Sequence, residues 1–406
     1  MNFLITGDKE KLSKLYLISY LFLMFGSLFG VYSEFNSNNV YPLPMYIKMI
    51  WVIALGIFFL IQMYVSIGNI IFIESRLRYI FFALFLLSAL TLINLPIIKL
   101  RTLVLIILIL NSNVLQWDKF VRIDLVSRLS GLFILAVMYI FNLFPQKYAN
   151  ANNFTRPDGT LRSAWGFNHP NALGSYYLGI IITLIILINS KFIIKKLSTK
   201  FKLISTAFIF LTGAYVEFYV TDSRSAQVAL LIIFIGWTIK LFKEISSPKP
   251  IWGVVLMIVL NDISLVMGYK ILLSTDLFLK INQLFSNRLV LQNQALMQYK
   301  INFFGNNMFK VGQPYWVDNE YIYNFIALGI FGALLFSYIF WKALVNTYKG
   351  NDFMLYVILI SILCKAMFES TTFEYCSLFP IVFAFKYGNG IDFSSNWMKK
   401  LKWGKS

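Results

Sequence analysis

Long apolar stretches alternate with short polar segments along nearly the whole chain. Each stretch has about 17–25 residues, the length that an α-helix needs to cross the hydrocarbon core of a bilayer. The pattern predicts twelve spans, near residues 13–31, 45–67, 78–96, 100–116, 125–145, 170–190, 203–220, 226–242, 251–272, 319–341, 352–369 and 372–388. We therefore expect an all-α polytopic membrane protein in which 1–406 forms one integral membrane domain.

Composition agrees with this architecture. Hydrophobic residues make up 58% of the 406 residues, charged residues make up 13%, and the mean hydropathy is +0.69. A soluble protein could not bury that much apolar surface, so lipid must cover much of it. The net charge of +18 does not indicate nucleic-acid binding, because the basic residues fall in short loops between spans. The cysteines, Cys364 and Cys376, lie in apolar context and suggest neither a disulfide framework nor a metal site.

Basic residues also predict the orientation. With both termini in the cytoplasm, most of the 36 lysines and arginines fall in inner segments, as the positive-inside rule requires. This arrangement places Arg128 in an inner loop. The outer segments are then 32–44, 146–169, 221–225 and 273–318, with short hairpins near 97–99 and 370–371.

Outer loop 146–169 carries the most distinctive polar sequence. It contains Arg156, Arg162 and the only histidine of the chain, His169, and it leads into the span that begins near Pro170. Proline at the first helical position is a common helix start, and a helix N-terminus can also bind an anion. His169 is therefore a structural cap, a donor to phosphate or sugar, or both.

Arginine is used selectively on the predicted outer face. Arg156, Arg162, Arg224 and Arg288 occupy three outer loops, whereas the inner loops are mostly lysine. The planar guanidinium binds phosphate through two parallel hydrogen bonds. We expect Arg162, Arg224 and Arg288 to converge on one outer cavity, with Asp222 orienting Arg224. The alternative is that each arginine binds lipid head groups or local acids.

The large outer loop 273–318 is too long to be a simple connector. From Ser286 it predicts an amphipathic helix with Arg288 in its first turn. The positions at helical spacing are Leu289, Gln292, Leu296 and Tyr299. Such a helix is either a lid or docking platform for a long substrate, or a passive interfacial helix.

Candidate bases lie at the outer ends of the last spans. Asp318 and Glu320 precede the tenth span, and Glu369 flanks the last outer hairpin. Ordinary helix capping explains Asp318 and Glu320 equally well. Nearby arginines should lower the pKa of Asp318, whereas partial burial should raise it. Asp262 lies within the ninth span, where a charge is costly, and Lys270 is a candidate partner for it.

At these residues the chain resembles the bacterial polysaccharide repeat-unit polymerases (Wzy-type) of the O-antigen ligase and polymerase superfamily. The resemblance covers about 162–332 and rests on Arg162-Ser-Ala-Trp-Gly-Phe-Asn-His-Pro-Asn-Ala-Leu-Gly174, Thr221-Asp-Ser-Arg-Ser225 and Asn287-Arg288 ahead of Gly305. The ligase branch is marked by a histidine, an asparagine-like residue and two glycines at a fixed spacing. Here the residues at that spacing are Asp318, Asn319, Gly329 and Gly332, so aspartate stands in place of the histidine. This departure favours a polymerase over a ligase.

The resemblance implies a GT-C-like glycosyltransferase in the bacterial cytoplasmic (inner) membrane. Its substrate would be an undecaprenyl-pyrophosphate-linked oligosaccharide, whose repeat units it joins into capsular, O-antigen or exopolysaccharide chains. No metal or other cofactor is expected, because pyrophosphate is already a good leaving group. Membrane lipid, a chain-length regulator and a flippase are the expected partners, and nucleic acid is not one.

A small set of residues has the chemistry that this reaction needs. We expect Asp318 to be the base, with Glu320, Glu369 and His169 as alternatives. The expected pyrophosphate ligands are Arg156, Arg162, Arg224, Arg288, Asn171 and Asn319.

Two other functions remain open. A lipid-linked oligosaccharide flippase or other transporter should carry charge through the midplane and an internal repeat, and an O-antigen-type ligase would use a different acceptor.

Overall fold

A computed structural model describes residues 2–36, 44–69, 97–144, 154–155, 159–189, 198–243, 245–269, 275–284, 288–306, 317–370 and 375–387. This part of the chain is mostly helical. The prediction of an all-α polytopic membrane protein is confirmed at this level. The predicted span 78–96, together with Arg156, Lys270 and Ser286, lies outside the described residues.

Fourteen α-helices make up most of the described residues. In chain order they are α1 (Asn2–Ser27), α2 (Met45–Asn69), α3 (Ile97–Asn111), α4 (Trp117–Ile140), α5 (Pro170–Asn189), α6 (Thr199–Tyr215), α7 (Arg224–Phe242), α8 (Pro250–Gly268), α9 (Thr275–Leu284), α10 (Arg288–Gln298), α11 (Glu320–Tyr323), α12 (Gly329–Lys349), α13 (Phe353–Lys365) and α14 (Leu378–Tyr387). Wider π-helical turns follow α1 at Leu28–Tyr32, follow α6 at Val216–Val220, and join α11 to α12 at Asn324–Leu328. A short antiparallel pair joins β1 (Phe154–Thr155) to β2 (Leu161–Arg162).

Length and burial divide the helices into two groups. In the described part, eight helical stretches are long and apolar enough to cross a membrane: Lys9–Tyr32, Met45–Gly68, Trp117–Ile140, Pro170–Asn189, Thr199–Val220, Arg224–Phe242, Pro250–Gly268 and Glu320–Lys349. The helices α3, α13 and α14 are shorter, and α14 is buried on every side from Leu378 to Phe385. A helix that is apolar all round belongs in the interior. Every predicted span except 78–96 coincides with one of these helices, and the total of twelve crossings stays a prediction.

Arg128 lies inside a helix, so its predicted place in an inner loop is wrong. It is fully buried in α4, and its Nε lies 2.7 Å from Asp124 Oδ2. Tyr20 and Thr183 donate hydrogen bonds to the same carboxylate. The guanidinium carbon also lies 5.9 Å from the centre of the Tyr176 ring. Because the two charges neutralise each other, the helix can bury the pair.

The predicted amphipathic helix of the large outer loop is present as α10. Each position of its predicted stripe is buried: Leu289, Gln292, Leu296 and Tyr299. The stripe packs towards α8. A second helix that we did not predict, α9, precedes it. The described part of the loop therefore contains two helices, of which α10 packs against the bundle.

Gly329 makes close contact with the loop that follows α10. It has a φ of 74°, and a β-carbon at this position would lie 2.5 Å from the carbonyl oxygen of Asn302. The amide of Ile330 donates to the same carbonyl at 3.0 Å. Only glycine fits this left-handed, crowded position. Gly329 therefore serves a contact with this loop.

Candidate functional site

Arg162 fixes the loop that precedes α5. It lies in β2, and its Nε donates to the carbonyl oxygen of Thr221 at 2.7 Å. Its Nη2 donates to Asn171 Oδ1, and the amide of Ser163 donates to the carbonyl of Val220 at 2.8 Å. Arg162 thus joins the start of α5 to the turn between α6 and α7. Two predicted site residues, Arg162 and Asn171, are in direct contact.

His169 caps α5. Its carbonyl oxygen accepts hydrogen bonds from the amides of Ala172 and Leu173, and its ring Nδ1 accepts from the amide of Asn171 at 3.0 Å. An accepting Nδ1 carries no proton, so the neutral ring has its proton on Nε2. The capping role that the sequence suggested is therefore present. A role of His169 towards phosphate or sugar stays a prediction.

Arg224 begins α7 at the same end of the bundle. Its side chain is exposed, and the turn before it is tight, since Asp222 has a φ of 41°. Positive φ is uncommon in residues other than glycine and is frequent at functional sites. Asp222 Oδ1 accepts a hydrogen bond from Gln227 Nε2 at 3.1 Å. The turn is therefore tied to α7, and the orienting role of Asp222 towards Arg224 stays a prediction.

A buried ion pair lies next to this turn. Lys365 Nζ is 3.2 Å from Glu369 Oε2, and the two side chains are only 4% and 5% exposed. The hydroxyls of Ser175 and Ser225 also bond to Glu369. Burial acts to raise the pKa of Glu369, but Lys365 and Arg288 outweigh it and hold the pKa below its usual value. Glu369 is therefore a charged anchor between helices and a poor proton acceptor.

Glu217 belongs to the same neighbourhood, and the sequence analysis missed it. It is fully buried in the π-helical turn after α6, and Thr221 Oγ1 donates to its Oε2 at 2.9 Å. The charges of Lys365 and Glu369 act on it. A β-carbon at position 174 would lie 2.7 Å from both Glu217 Oε2 and Ser223 Cβ, so the close approach of these two side chains explains Gly174. The available signal was a single acidic residue in an apolar span.

Arg288 and Asp318 form an ion pair at the start of α10. Arg288 Nε lies 3.0 Å from Asp318 Oδ2, and the two side chains are 24% and 34% exposed. Arg288 Nη1 also donates to the carbonyl oxygen of Phe368. Burial raises the pKa of Asp318, Arg288 acts to lower it, and Glu369 adds to the increase. Of the two opposing effects that the sequence suggested, burial prevails, so Asp318 is a better proton acceptor than an ordinary aspartate.

Asn319 holds the backbone next to Asp318. It is 3% exposed, and its Oδ1 accepts from the amides of Tyr321 and Ile322, which makes it the N-cap of α11. Its Nδ2 donates to Ser264 Oγ in α8 at 2.9 Å. These bonds give Asn319 a positioning role, and its contact with pyrophosphate stays a prediction.

Direct contacts connect predicted site residues that are far apart in sequence. Arg162 contacts the turn 221–225, which contains Arg224. This turn contacts Glu369 through a serine hydroxyl, and the residue before Glu369 contacts Arg288. The loop, the turn and the start of α10 therefore form one polar region, which we call the polar end of the bundle. In the described part of the chain, no group of three acidic, histidine or cysteine residues is placed to hold a metal ion.

Comparisons with known proteins leave this geometry as the main guide to function. No protein-family model matches the chain, and no curated protein matches it either.

Proposed function

We propose that the chain is a membrane glycosyltransferase with a GT-C-like fold that polymerises undecaprenyl-pyrophosphate-linked oligosaccharide repeat units. It acts at the outer face of the bacterial cytoplasmic membrane, with both termini in the cytoplasm. The contact between Arg288 and Asp318 carries this proposal. It joins a guanidinium, which can bind pyrophosphate, to a carboxylate whose pKa is raised by burial. Sugar transfer from a lipid pyrophosphate needs this combination of cation and base.

In the proposed reaction, Asp318 takes the proton of the acceptor hydroxyl as the hydroxyl oxygen bonds to the anomeric carbon of the donor. The bond between this carbon and the pyrophosphate oxygen breaks, and its electron pair leaves with undecaprenyl pyrophosphate. Four arginines stabilise the negative charge of the leaving group. They are Arg162, Arg224, Arg288 and Arg156, which lies in the same outer loop as Arg162. The buried pair of Lys365 and Glu369 holds the neighbouring helices in place.

Donor binding and base strength are coupled in this arrangement. Arg288 lowers the pKa of Asp318 while the two are paired. An incoming pyrophosphate competes with Asp318 for the same guanidinium. Once Arg288 turns to the pyrophosphate, Asp318 loses the partner that opposes its protonation, and its pKa rises further. Binding of the donor therefore makes Asp318 a stronger base.

One observation favours the transporter alternative. The pair formed by Asp124 and Arg128 is fully buried within a candidate span, and a transporter is expected to carry ionisable groups inside the membrane. The bonds of Tyr20 and Thr183 to Asp124 give this pair a structural explanation.

The ligase alternative lacks the histidine of its motif, since Asp318 stands at that position.

Deletion of the gene in the producing bacterium distinguishes these functions. Loss of a polymerase leaves single repeat units on the outer face of the membrane. Loss of a flippase traps them on the inner face, and loss of a ligase leaves long chains on the lipid carrier. Accumulation of single units outside, reversed by the wild-type chain and not by Asp318→Asn, supports the proposal. Either of the other two patterns contradicts it.

A further inference from the structure

An apolar groove opens between α8 and α12, beside α11. It has a volume of about 210 Å³, and Met257, Ile258, Phe325, Ile330, Ala333 and Leu334 are among its lining residues. Three of these, Ile258, Ile330 and Leu334, are 52%, 41% and 61% exposed. The groove therefore lies on the side of the helix bundle, where a membrane protein meets lipid or another membrane protein.

Asn324 gives this groove a polar group that a hydrocarbon chain cannot satisfy. It lines the groove from the π-helical turn between α11 and α12. The residue is 2% exposed, and neither its Oδ1 nor its Nδ2 has a hydrogen-bond partner. An unpaired amide is costly in a membrane interior. The groove therefore fits an occupant that carries hydrogen-bonding groups at this depth.

Asp262 places a carboxylate on the same side of α8. Its side chain is exposed, and it lies one helical turn beyond Ile258, on the same face. The described residues form no ion pair with it. It precedes the end of α8 at Gly268 by six residues, or about 9 Å at 1.5 Å per residue. Charged side chains at such depth normally face protein or water.

We infer that this groove and Asp262 form the docking surface for a transmembrane helix of a partner protein that carries a lysine or arginine. The basic side chain pairs with Asp262, and a polar side chain of the same helix bonds to Asn324. A lipid tail has no group for either residue. A second copy of this chain docked through the same face would oppose Asp262 to Asp262, because α8 contains no lysine or arginine. The inference does not depend on the proposed polymerase activity.

Photocrosslinking in membranes of the producing cell tests this inference. A photoreactive phenylalanine analogue replaces Ile258 at the groove, and the same analogue replaces Val126, which is 60% exposed on α4, as the control. We expect position 258, and not position 126, to crosslink to a membrane protein. The crosslinked peptide should come from a transmembrane segment that contains a lysine or arginine.

The charge of Asp262 supplies the decisive comparison. Asp262→Asn and Asp262→Lys should each reduce the crosslink at least about tenfold, which corresponds to roughly 1.4 kcal/mol. Asp262→Lys combined with an aspartate in place of the partner's basic residue should restore it. Asn324→Leu should weaken the crosslink without lowering the thermal stability of the purified chain. Adducts only with lipid, only with a second copy of this chain, or with a protein whose capture is insensitive to Asp262 overturn the inference.

Discussion

Arg288 Nε lies 3.0 Å from Asp318 Oδ2, and the same guanidinium donates to the carbonyl oxygen of Phe368. One arginine therefore ties α10, the start of α11 and the loop after α13 to each other. It is also the cation that opposes the effect of burial on the pKa of Asp318. In the proposed reaction, this relationship links pyrophosphate binding to proton transfer.

Asp318→Asn separates proton transfer from substrate binding. The amide keeps the shape of the side chain and can still accept a hydrogen bond from Arg288, but it cannot accept the hydroxyl proton. We expect kcat to fall about 10²-fold or more with little change in KM. Steady-state kinetics on the purified protein measure both. Asp276→Asn, at an exposed acid in α9, is the matched control and should behave like wild type. A near wild-type kcat in Asp318→Asn removes Asp318 from the mechanism.

The pH dependence of kcat/KM reports the protonation of Asp318 in the free protein, where Arg288 is paired with it. Only the unprotonated carboxylate can act as a base, so activity should fall as the pH drops through its pKa. Because burial raises that pKa, the acidic limb should lie at higher pH than for an ordinary aspartate. Arg288→Gln removes the group that lowers the pKa and should move the limb to still higher pH, whereas Arg288→Lys retains a positive charge and should move it less. A limb that is unchanged by Arg288→Gln contradicts the coupling.

Substitutions can separate two functions of His169, the capping of α5 and hydrogen-bond donation by the ring Nε2. Asn is a good N-cap, so His169→Asn should retain the stability of wild type, whereas His169→Ala should lose roughly 1 kcal/mol. Both variants lack the Nε2 donor. If that donor binds the substrate, His169→Asn should be stable and impaired in turnover. Thermal unfolding and kinetics of the two variants decide between the roles. Wild-type turnover by His169→Asn leaves His169 as a cap only.

Gly174 tests the position of Glu217. A β-carbon at this site would lie 2.7 Å from both Glu217 Oε2 and Ser223 Cβ, so Gly174→Ala must displace these side chains or the helix. We expect a loss of stability of roughly 1–3 kcal/mol, the usual cost of overpacking, and lower activity. Gly56→Ala is the control, because a β-carbon there meets nothing within 4 Å. Equal melting temperatures for the two variants contradict the close packing of Gly174 against Glu217.

Local sequence patterns predicted the helices well where a helix-start signal or a hydrophobic stripe at helical spacing is present. Pro170 begins α5 as the proline rule predicts, and the stripe of α10 is buried as predicted. The pattern failed where charges compensate each other. Arg128 was counted among the inner-loop cations because it is basic, although Asp124 one turn earlier neutralises it. The unusual backbone of Gly329 follows from contact with Asn302, which no local pattern contains.

The candidate site was predictable residue by residue but not as an arrangement. Arg162, Arg288 and Asp318 were chosen from their residue types and their places at span ends. Their contacts depend on which helices are neighbours: Arg288 meets Phe368 across 80 residues of sequence. The contacts of Glu217 and Lys365 could not be predicted from the sequence either. Each is an ionisable residue within a span and was visible as such, but their association with Glu369 requires the packing of α6 and α13.

Reconstitution with a defined substrate tests the central claim most directly. The purified chain in lipid nanodiscs is supplied with a synthetic undecaprenyl-pyrophosphate-linked repeat unit, without nucleotide or added metal. The account predicts a ladder of lengthening saccharides and release of one undecaprenyl pyrophosphate for each new glycosidic bond, both strongly reduced in Asp318→Asn and Arg288→Gln and unchanged in Asp276→Asn. A folded wild-type chain that forms no ladder, or a ladder that persists at wild-type rate in both site variants, contradicts it.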